Sequence, residues 1–116
     1  MDFFSDNTAA ASPRVMAALA AANAGAASPY GKDDWTRRVE ERFAAIFERE
    51  VAVFLVLTGT AANALALASI VKPWGAILTH EEAHVVEDEC GAPEFFTNGA
   101  KLIDLPGTGA KLKPET

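Results

Sequence analysis

The spacing of apolar residues predicts two helices in the first half of the chain. In the stretch PRVMAALAAANAG, the pair Ser12-Pro13 places a capping hydroxyl before a proline at the first helical position, and Gly25 provides a stop. A loop rich in proline, glycine and aspartate follows, and we expect Asp34 to cap a second helix, WTRRVEERFAAIFERE. Apolar side chains recur at helical spacing in this second helix, so its arginine- and glutamate-rich face is expected to be solvated.

The second half alternates apolar runs with helical patterns. We expect strands at Val51–Leu57, at residues 76–79 and at Lys101–Leu105, a helix over residues 61–71, and a polar segment over residues 80–91 that is helical in its later part. Strands that alternate with helices in this way predict an α/β fold, with a mostly parallel sheet covered by helices on both faces.

Composition and charge narrow the classes of partner. A formal net charge of −6 argues against nucleic acid and anionic membranes, which both recruit basic surfaces. No apolar stretch approaches the roughly 20 residues of a membrane-spanning helix. The single cysteine, Cys90, excludes an internal disulfide, and the N-terminus MDFFSDN lacks the pattern of a signal peptide, so we expect a cytoplasmic protein.

The length of the chain suggests that the sheet is incomplete. A doubly wound sheet normally has more strands than the three predicted here, and the residues after Leu105 read as a loop, PGTGAKLKP. We therefore expect residues 1–116 to form a single partial domain, the N-terminal part of a longer chain.

The turn Thr58-Gly59-Thr60 joins the most apolar predicted strand to an alanine-rich helix. Ligands of parallel sheets bind beyond the carboxyl ends of strands, where the next helix presents free N–H groups and the positive end of its dipole. Gly59 lets the backbone approach an anion, and the Thr60 hydroxyl can donate to a phosphate oxygen. The turn lacks the lysine of a P-loop and the third glycine of a dinucleotide fingerprint, so it indicates a phosphate group or an ordinary capped helix, and not a nucleotide.

The segment HEEAH at residues 80–84 matches the H-E-x-x-H pattern of zinc hydrolases. In that interpretation His80 and His84 bind the metal, Glu81 is the general base, and a third ligand comes from Asp88, Glu89 or Asp104. However, the motif follows directly on a predicted strand, which would place His80 at a strand end and not within a helix. Two surface histidines at a helix start are the simpler interpretation.

Four segments together resemble the N-terminal part of the low-specificity L-threonine aldolases, which are fold-type I pyridoxal-phosphate enzymes. They are SDN (5–7), YGKDD (30–34), LTGTAAN (57–63) and AHVVEDECGA (83–92). The resemblance covers essentially the whole chain. It implies the large, cofactor-binding domain of that fold, pyridoxal 5'-phosphate as cofactor, and retro-aldol cleavage of L-threonine or allo-threonine to glycine and an aldehyde. It also implies a small amino-acid substrate and a homo-oligomer, a dimer or tetramer, at full length.

The resemblance assigns roles to individual residues. Gly59 and Thr60 match the turn that binds the cofactor phosphate. His84 matches the histidine that lies over the cofactor ring near the substrate hydroxyl, which makes it a cofactor contact and the candidate base, and Glu89 matches an acidic residue near the same site. Ser5 matches a serine that contacts the substrate carboxylate.

Further residues follow less directly from the resemblance. Tyr30 and Asp33 fall in a loop motif of the active-site and interface region, and Tyr30 is a candidate substrate contact. The family gives no role to His80 or Glu81.

The resemblance also leaves parts of a threonine aldolase site unmatched. None of the five lysines, Lys32, Lys72, Lys101, Lys111 and Lys113, lies in the context of the Schiff-base lysine. We therefore expect these 116 residues alone to be inactive. The alternatives are the zinc hydrolase and a non-catalytic truncated relic or subunit.

Overall fold

The structure is a computed structural model that describes Ser5 and residues 8–113. The chain divides into two compact units, Met1–Phe54 and Leu55–Thr116. Among the described residues, no helix is both long enough and apolar enough to pass through a bilayer.

The described part of the first unit contains two helices, α1 (Pro13–Ala22) and α2 (Asp34–Phe47). Both predicted helices are thus confirmed. The hydroxyl of Ser12 accepts a hydrogen bond of 3.4 Å from the backbone N–H of Val15, as expected of the cap of α1. Helix α1 ends before the predicted stop at Gly25.

The start and end of α2 differ from the prediction. The capping residue is Asp33 and not Asp34, because the Asp33 carboxylate accepts from the backbone N–H of Thr36 at 2.8 Å and Asp34 is already helical. At its other end α2 stops at Phe47, since Glu48 adopts a left-handed conformation with φ of 52°. The predicted last turn is therefore absent from α2.

The second unit has five elements within its described residues. They are α3 (Gly59–Ile70), β1 (Ala76–His80), α4 (His84–Glu87), α5 (Ala92–Phe96) and β2 (Lys101–Leu105). Strands β1 and β2 pair in parallel, with Ala76 opposite Lys101 and His80 opposite Leu105. Two of the predicted strands and the α/β class are confirmed. The carboxyl ends of both strands lie at the same edge of the sheet, and α4 begins beyond that edge.

The predicted strand at Val51–Leu57 is wrong. A strand needs a neighbour for its backbone groups, and β1 and β2 pair only with each other within the described part of the chain. The run is apolar but exposed, with Phe54 at 85% and Leu57 at 102% of full exposure. Its composition is that of a buried strand, while its backbone lacks a partner among the described residues.

Small residues form the core of the second unit. Helix α3 packs against α5, and α5 contacts β2. Ala64 and Ala100 are fully buried, and Pro93 is the largest fully buried side chain of the described residues. Because alanine side chains are short, α3 and α5 can approach closely. This contact fixes the position of α3 relative to α5.

Candidate functional site

The N-terminus of α3 presents free backbone donors. The Thr58 hydroxyl accepts from the N–H of Ala61 at 3.1 Å, and the Thr58 carbonyl accepts from the N–H of Ala62 at 3.1 Å. The N–H groups of Gly59 and Thr60 have no hydrogen-bond partner among the described residues. These donors lie at the positive end of a 12-residue helix, where an anion is stabilised.

Gly59 leaves the space at this helix end open. A Cβ atom built on Gly59 would meet no heavy atom within 4 Å. Gly59 is also the first residue of α3, where the sequence predicted a turn before the helix. The absence of a side chain here serves no packing need within the described residues, which is consistent with an approach path for a ligand.

His84 and Glu89 form a close pair after β1. The distance between His84 Nδ1 and Glu89 Oε1 is 2.8 Å. The Glu89 side chain is 0% exposed and that of His84 is 62% exposed. A buried carboxylate therefore holds one nitrogen of an imidazole whose ring is accessible from solvent.

Asn63 joins this pair to α3. Its side-chain amide donates to the same Oε1 atom of Glu89 at 2.7 Å. Thr60 and Asn63 are three residues apart in α3, so they occupy neighbouring positions on one helical face. The hydrogen bonds thus connect the open helix end with the His84–Glu89 pair.

The shared acceptor selects a tautomer of His84. An ionised carboxylate only accepts hydrogen bonds, so a contact with ionised Glu89 places the shared proton on His84 Nδ1. In the neutral imidazole the lone pair then lies on Nε2. The arrangement leaves the accessible nitrogen of His84 able to accept a proton.

The structure separates the two histidines of HEEAH. His80 ends β1, and its Nδ1 accepts from the backbone N–H of Glu82 at 3.0 Å, whereas His84 begins α4. His80 is 7% exposed, and its Nε2 atom lies where a Cβ on Gly107 would come within 2.7 Å. His80 and His84 therefore do not share a helical face, as the zinc motif requires.

The proposed third metal ligands do not complete a zinc site either. Among Ser5 and residues 8–113, no three side chains of histidine, cysteine, aspartate or glutamate are grouped so that they could hold a metal ion. Glu89, one of the three proposed ligands, is bound to His84 and Asn63. The structure does not support the zinc-hydrolase alternative.

The remaining predicted site residues belong to the first unit. Tyr30 is 95% exposed and has a positive φ of 61°. The carbonyl of Ser5 accepts from the Thr8 hydroxyl at 2.7 Å. Asp33 caps α2, and the hydrogen bond from the Thr36 backbone N–H holds the pKa of its carboxyl below the ordinary value, assisted by the Thr36 hydroxyl. The substrate contacts assigned to Ser5 and Tyr30 stay predictions.

The sequence did not reveal the contact that Asn63 makes. The sequence shows Asn63 only as one of three polar residues, with Thr60 and Ser69, in the largely apolar helix GTAANALALASI. Its partner Glu89 lies 26 residues away in the chain, and no local pattern links the two.

Comparisons with known proteins show what the chain is similar to. A family model of the beta-eliminating lyases matches residues 2–116. The chain is 46% identical over 112 residues to the low-specificity L-threonine aldolases of Pseudomonas sp. (strain NCIMB 10558) and Pseudomonas aeruginosa, covering 97% of this chain and 32% of each relative. A solved structure of the Leishmania major threonine aldolase matches 88% of this chain and 30% of its own, with 25% identity and a TM-score of 0.78.

These matches establish the family of the chain and the share of its relatives' length that it covers. The chain spans about a third of the length of the curated relatives that it matches. Because the family match extends over nearly every residue, the chain belongs to the beta-eliminating lyase family.

Proposed function

We propose that the full-length protein is a pyridoxal-phosphate-dependent lyase that cleaves L-threonine or L-allo-threonine to glycine and acetaldehyde. The observation that carries this proposal is the His84–Glu89 pair, linked through Asn63 to an open helix end, in a chain 46% identical to two low-specificity L-threonine aldolases.

The helix end fits the phosphate of the cofactor. Gly59 and Thr60 offer two backbone N–H groups without partners among the described residues, and the Thr60 side chain adds a hydroxyl. Gly59 leaves room for a bulky anion. These groups would hold the phosphate by charge-assisted hydrogen bonds. When bound, pyridoxal phosphate supplies an electron-accepting ring for the electron pair of the broken Cα–Cβ bond.

His84 is proposed as the base for the substrate hydroxyl. Glu89 holds Nδ1 in its protonated form, so Nε2 is free to take the hydroxyl proton, directly or through a water. As the Cα–Cβ bond breaks, the hydroxyl oxygen becomes the carbonyl oxygen of acetaldehyde. Cα then takes up a proton, which completes glycine. Glu89 stabilises the imidazolium that forms after proton transfer.

Substrate contacts and assembly are part of the same proposal. Ser5 would contact the substrate carboxylate and Tyr30 would line the substrate region, as the family resemblance implies. We further propose that the full-length protein is a cytoplasmic homo-oligomer. The resemblance to bacterial threonine aldolases supports these assignments.

Reconstitution tests the proposed function. The full-length protein is incubated with pyridoxal phosphate and L-threonine, and acetaldehyde and glycine are quantified separately. We expect the two products in equal amounts and only when the cofactor is present. The absence of glycine and of the matching aldehyde, which is acetaldehyde from L-threonine and L-allo-threonine and benzaldehyde from phenylserine, would refute the proposal.

A further inference from the structure

A side-chain hydrogen bond crosses from α3 to the turn after α4. Asn63 Nδ2 donates to Glu89 Oε1 at 2.7 Å, and the same oxygen is 2.8 Å from His84 Nδ1. One carboxylate oxygen thus accepts from two side chains that come from different elements.

The other oxygen of Glu89 has no comparable support. Glu89 Oε2 is buried and has no hydrogen-bond partner among the described residues. The orientation of this buried carboxylate therefore depends on the two bonds at Oε1. Removing the Asn63 donor leaves His84 as the only side chain among the described residues that holds it.

A buried carboxylate with too few donors is costly, so we expect the Glu89 carboxylate to rotate when the Asn63 donor is removed. Rotation moves Oε1 away from His84 Nδ1 and removes the acceptor that keeps the proton on Nδ1. The imidazole is then free to change its tautomer, and the lone pair on Nε2 is lost from part of the population.

We propose that Asn63 is a positioning residue: its amide fixes the carboxylate of Glu89, which in turn fixes the tautomer and ring orientation of His84. The catalytic consequence rests on the proposed function, whereas the effect on the tautomer does not. A tether that only joined α3 to the turn would affect stability and leave His84 unchanged.

The test compares Asn63→Ala with two further variants of the full-length protein. Asn63 is exposed, so its truncation leaves the core of α3 intact. Asn63→Gln retains an amide donor and is the conservative variant. Ser69→Ala is the matched control, because the Ser69 hydroxyl is on the same helix and donates only to the Ala66 carbonyl within it.

The first readout is the tautomer of His84 without cofactor. Histidine is labelled with nitrogen-15, and the His84 signals are assigned by their loss in His84→Gln. We expect the Nδ1–H tautomer in the unaltered protein and in Ser69→Ala, a mixture in Asn63→Ala, and recovery in Asn63→Gln. A pure Nδ1–H tautomer in Asn63→Ala would overturn the proposal, even if that variant were less stable.

The second readout is the kinetics of threonine cleavage. Asn63→Ala is expected to lower kcat about tenfold or more, because the Glu89 carboxylate that orients His84 loses a supporting hydrogen bond. Cofactor affinity should change little. An unchanged kcat would contradict a positioning role. If the unaltered protein cleaves no β-hydroxy amino acid, the proposed function fails, and the tautomer readout alone decides the role of Asn63.

Discussion

His84 and Glu89 meet at 2.8 Å with opposite exposures, the imidazole 62% exposed and the carboxylate side chain 0% exposed. The buried partner can hold the ring in place while the accessible ring nitrogen faces a ligand. A five-residue separation in the chain allows this because α4 ends at Glu87 and the chain turns before Glu89. The pair is therefore suited to proton transfer at an accessible nitrogen.

Replacing Gly59 by alanine should weaken cofactor binding without destabilising the fold. A Cβ at this position meets no atom within 4 Å, and alanine is favoured over glycine in a helix by roughly 0.5–1 kcal/mol. Gly59→Ala should thus leave the free energy of unfolding unchanged or slightly raised, while it weakens binding of pyridoxal phosphate. Urea unfolding and a spectroscopic cofactor titration measure the two effects. Unchanged cofactor affinity would argue against phosphate binding at α3.

The Thr60 hydroxyl should contribute to cofactor retention. Thr60→Val keeps the shape of the side chain and removes a hydrogen bond to a charged group, worth about 1.5–3 kcal/mol, which corresponds to roughly 10- to 150-fold in Kd. Thr79→Val, in β1, makes the same chemical change away from α3 and serves as the control. Equal cofactor affinities in the two variants would exclude this role of Thr60.

A side chain at position 107 should destabilise the fold. A Cβ there would lie 2.5 Å from His80 Cδ2 and would also collide with the carbonyl of Lys111. Because His80 is buried and part of β1, it cannot move aside freely, so Gly107→Ala should lower the free energy of unfolding by about 1–3 kcal/mol. Chemical denaturation of the full-length protein measures the loss, with Gly59→Ala as the control. A stability equal to that of the control would show that the loop after β2 does not pack on His80.

The cap of α2 should make stability depend on acid pH. The Thr36 hydrogen bonds lower the pKa of Asp33 below its ordinary value of 3.8. A lowered folded-state pKa means that the ionised carboxylate stabilises the fold above about pH 3.8, and that this stabilisation is lost as pH falls through the folded-state pKa.

Asp33→Asn removes the negative charge and keeps the cap, because the asparagine side-chain oxygen also accepts a hydrogen bond from the Thr36 N–H. At neutral pH the unaltered protein should have the higher Tm, and the difference should vanish in acid. Asp33→Ala should lower Tm at every pH. Scanning calorimetry from neutral to acid pH measures the Tm of the unaltered protein and of both variants. A difference that is independent of pH would contradict the assigned titration.

The local features of the fold could be predicted from the sequence because their causes are local. The Ser12-Pro13 pair fixes the start of α1, and a short apolar stretch bounded by turn residues identifies β2. The cap of α2 was misplaced by one residue because Asp33 and Asp34 are equally good capping residues. Only the hydrogen bond to Thr36 distinguishes them.

Features that depend on distant residues were not predictable in the same way. The run at 51–57 has the composition of a strand, but pairing depends on a neighbour that composition does not reveal. Helix α5 (Ala92–Phe96) is too short for a periodic pattern to identify it. In the site, the family resemblance pointed to His84 and Glu89, while the contact from Asn63 became visible only in three dimensions.

The role of His84 as the base is decided by kcat for threonine cleavage by His84→Asn in the full-length protein at saturating pyridoxal phosphate. Loss of a general base is expected to lower kcat by about 10²- to 10⁴-fold. Bound cofactor is measured in the same samples, because His84 is also a candidate cofactor contact, whereas the phosphate is assigned to Gly59 and Thr60. A kcat equal to that of the unaltered protein, with cofactor fully bound, would contradict the assignment of His84 as the base.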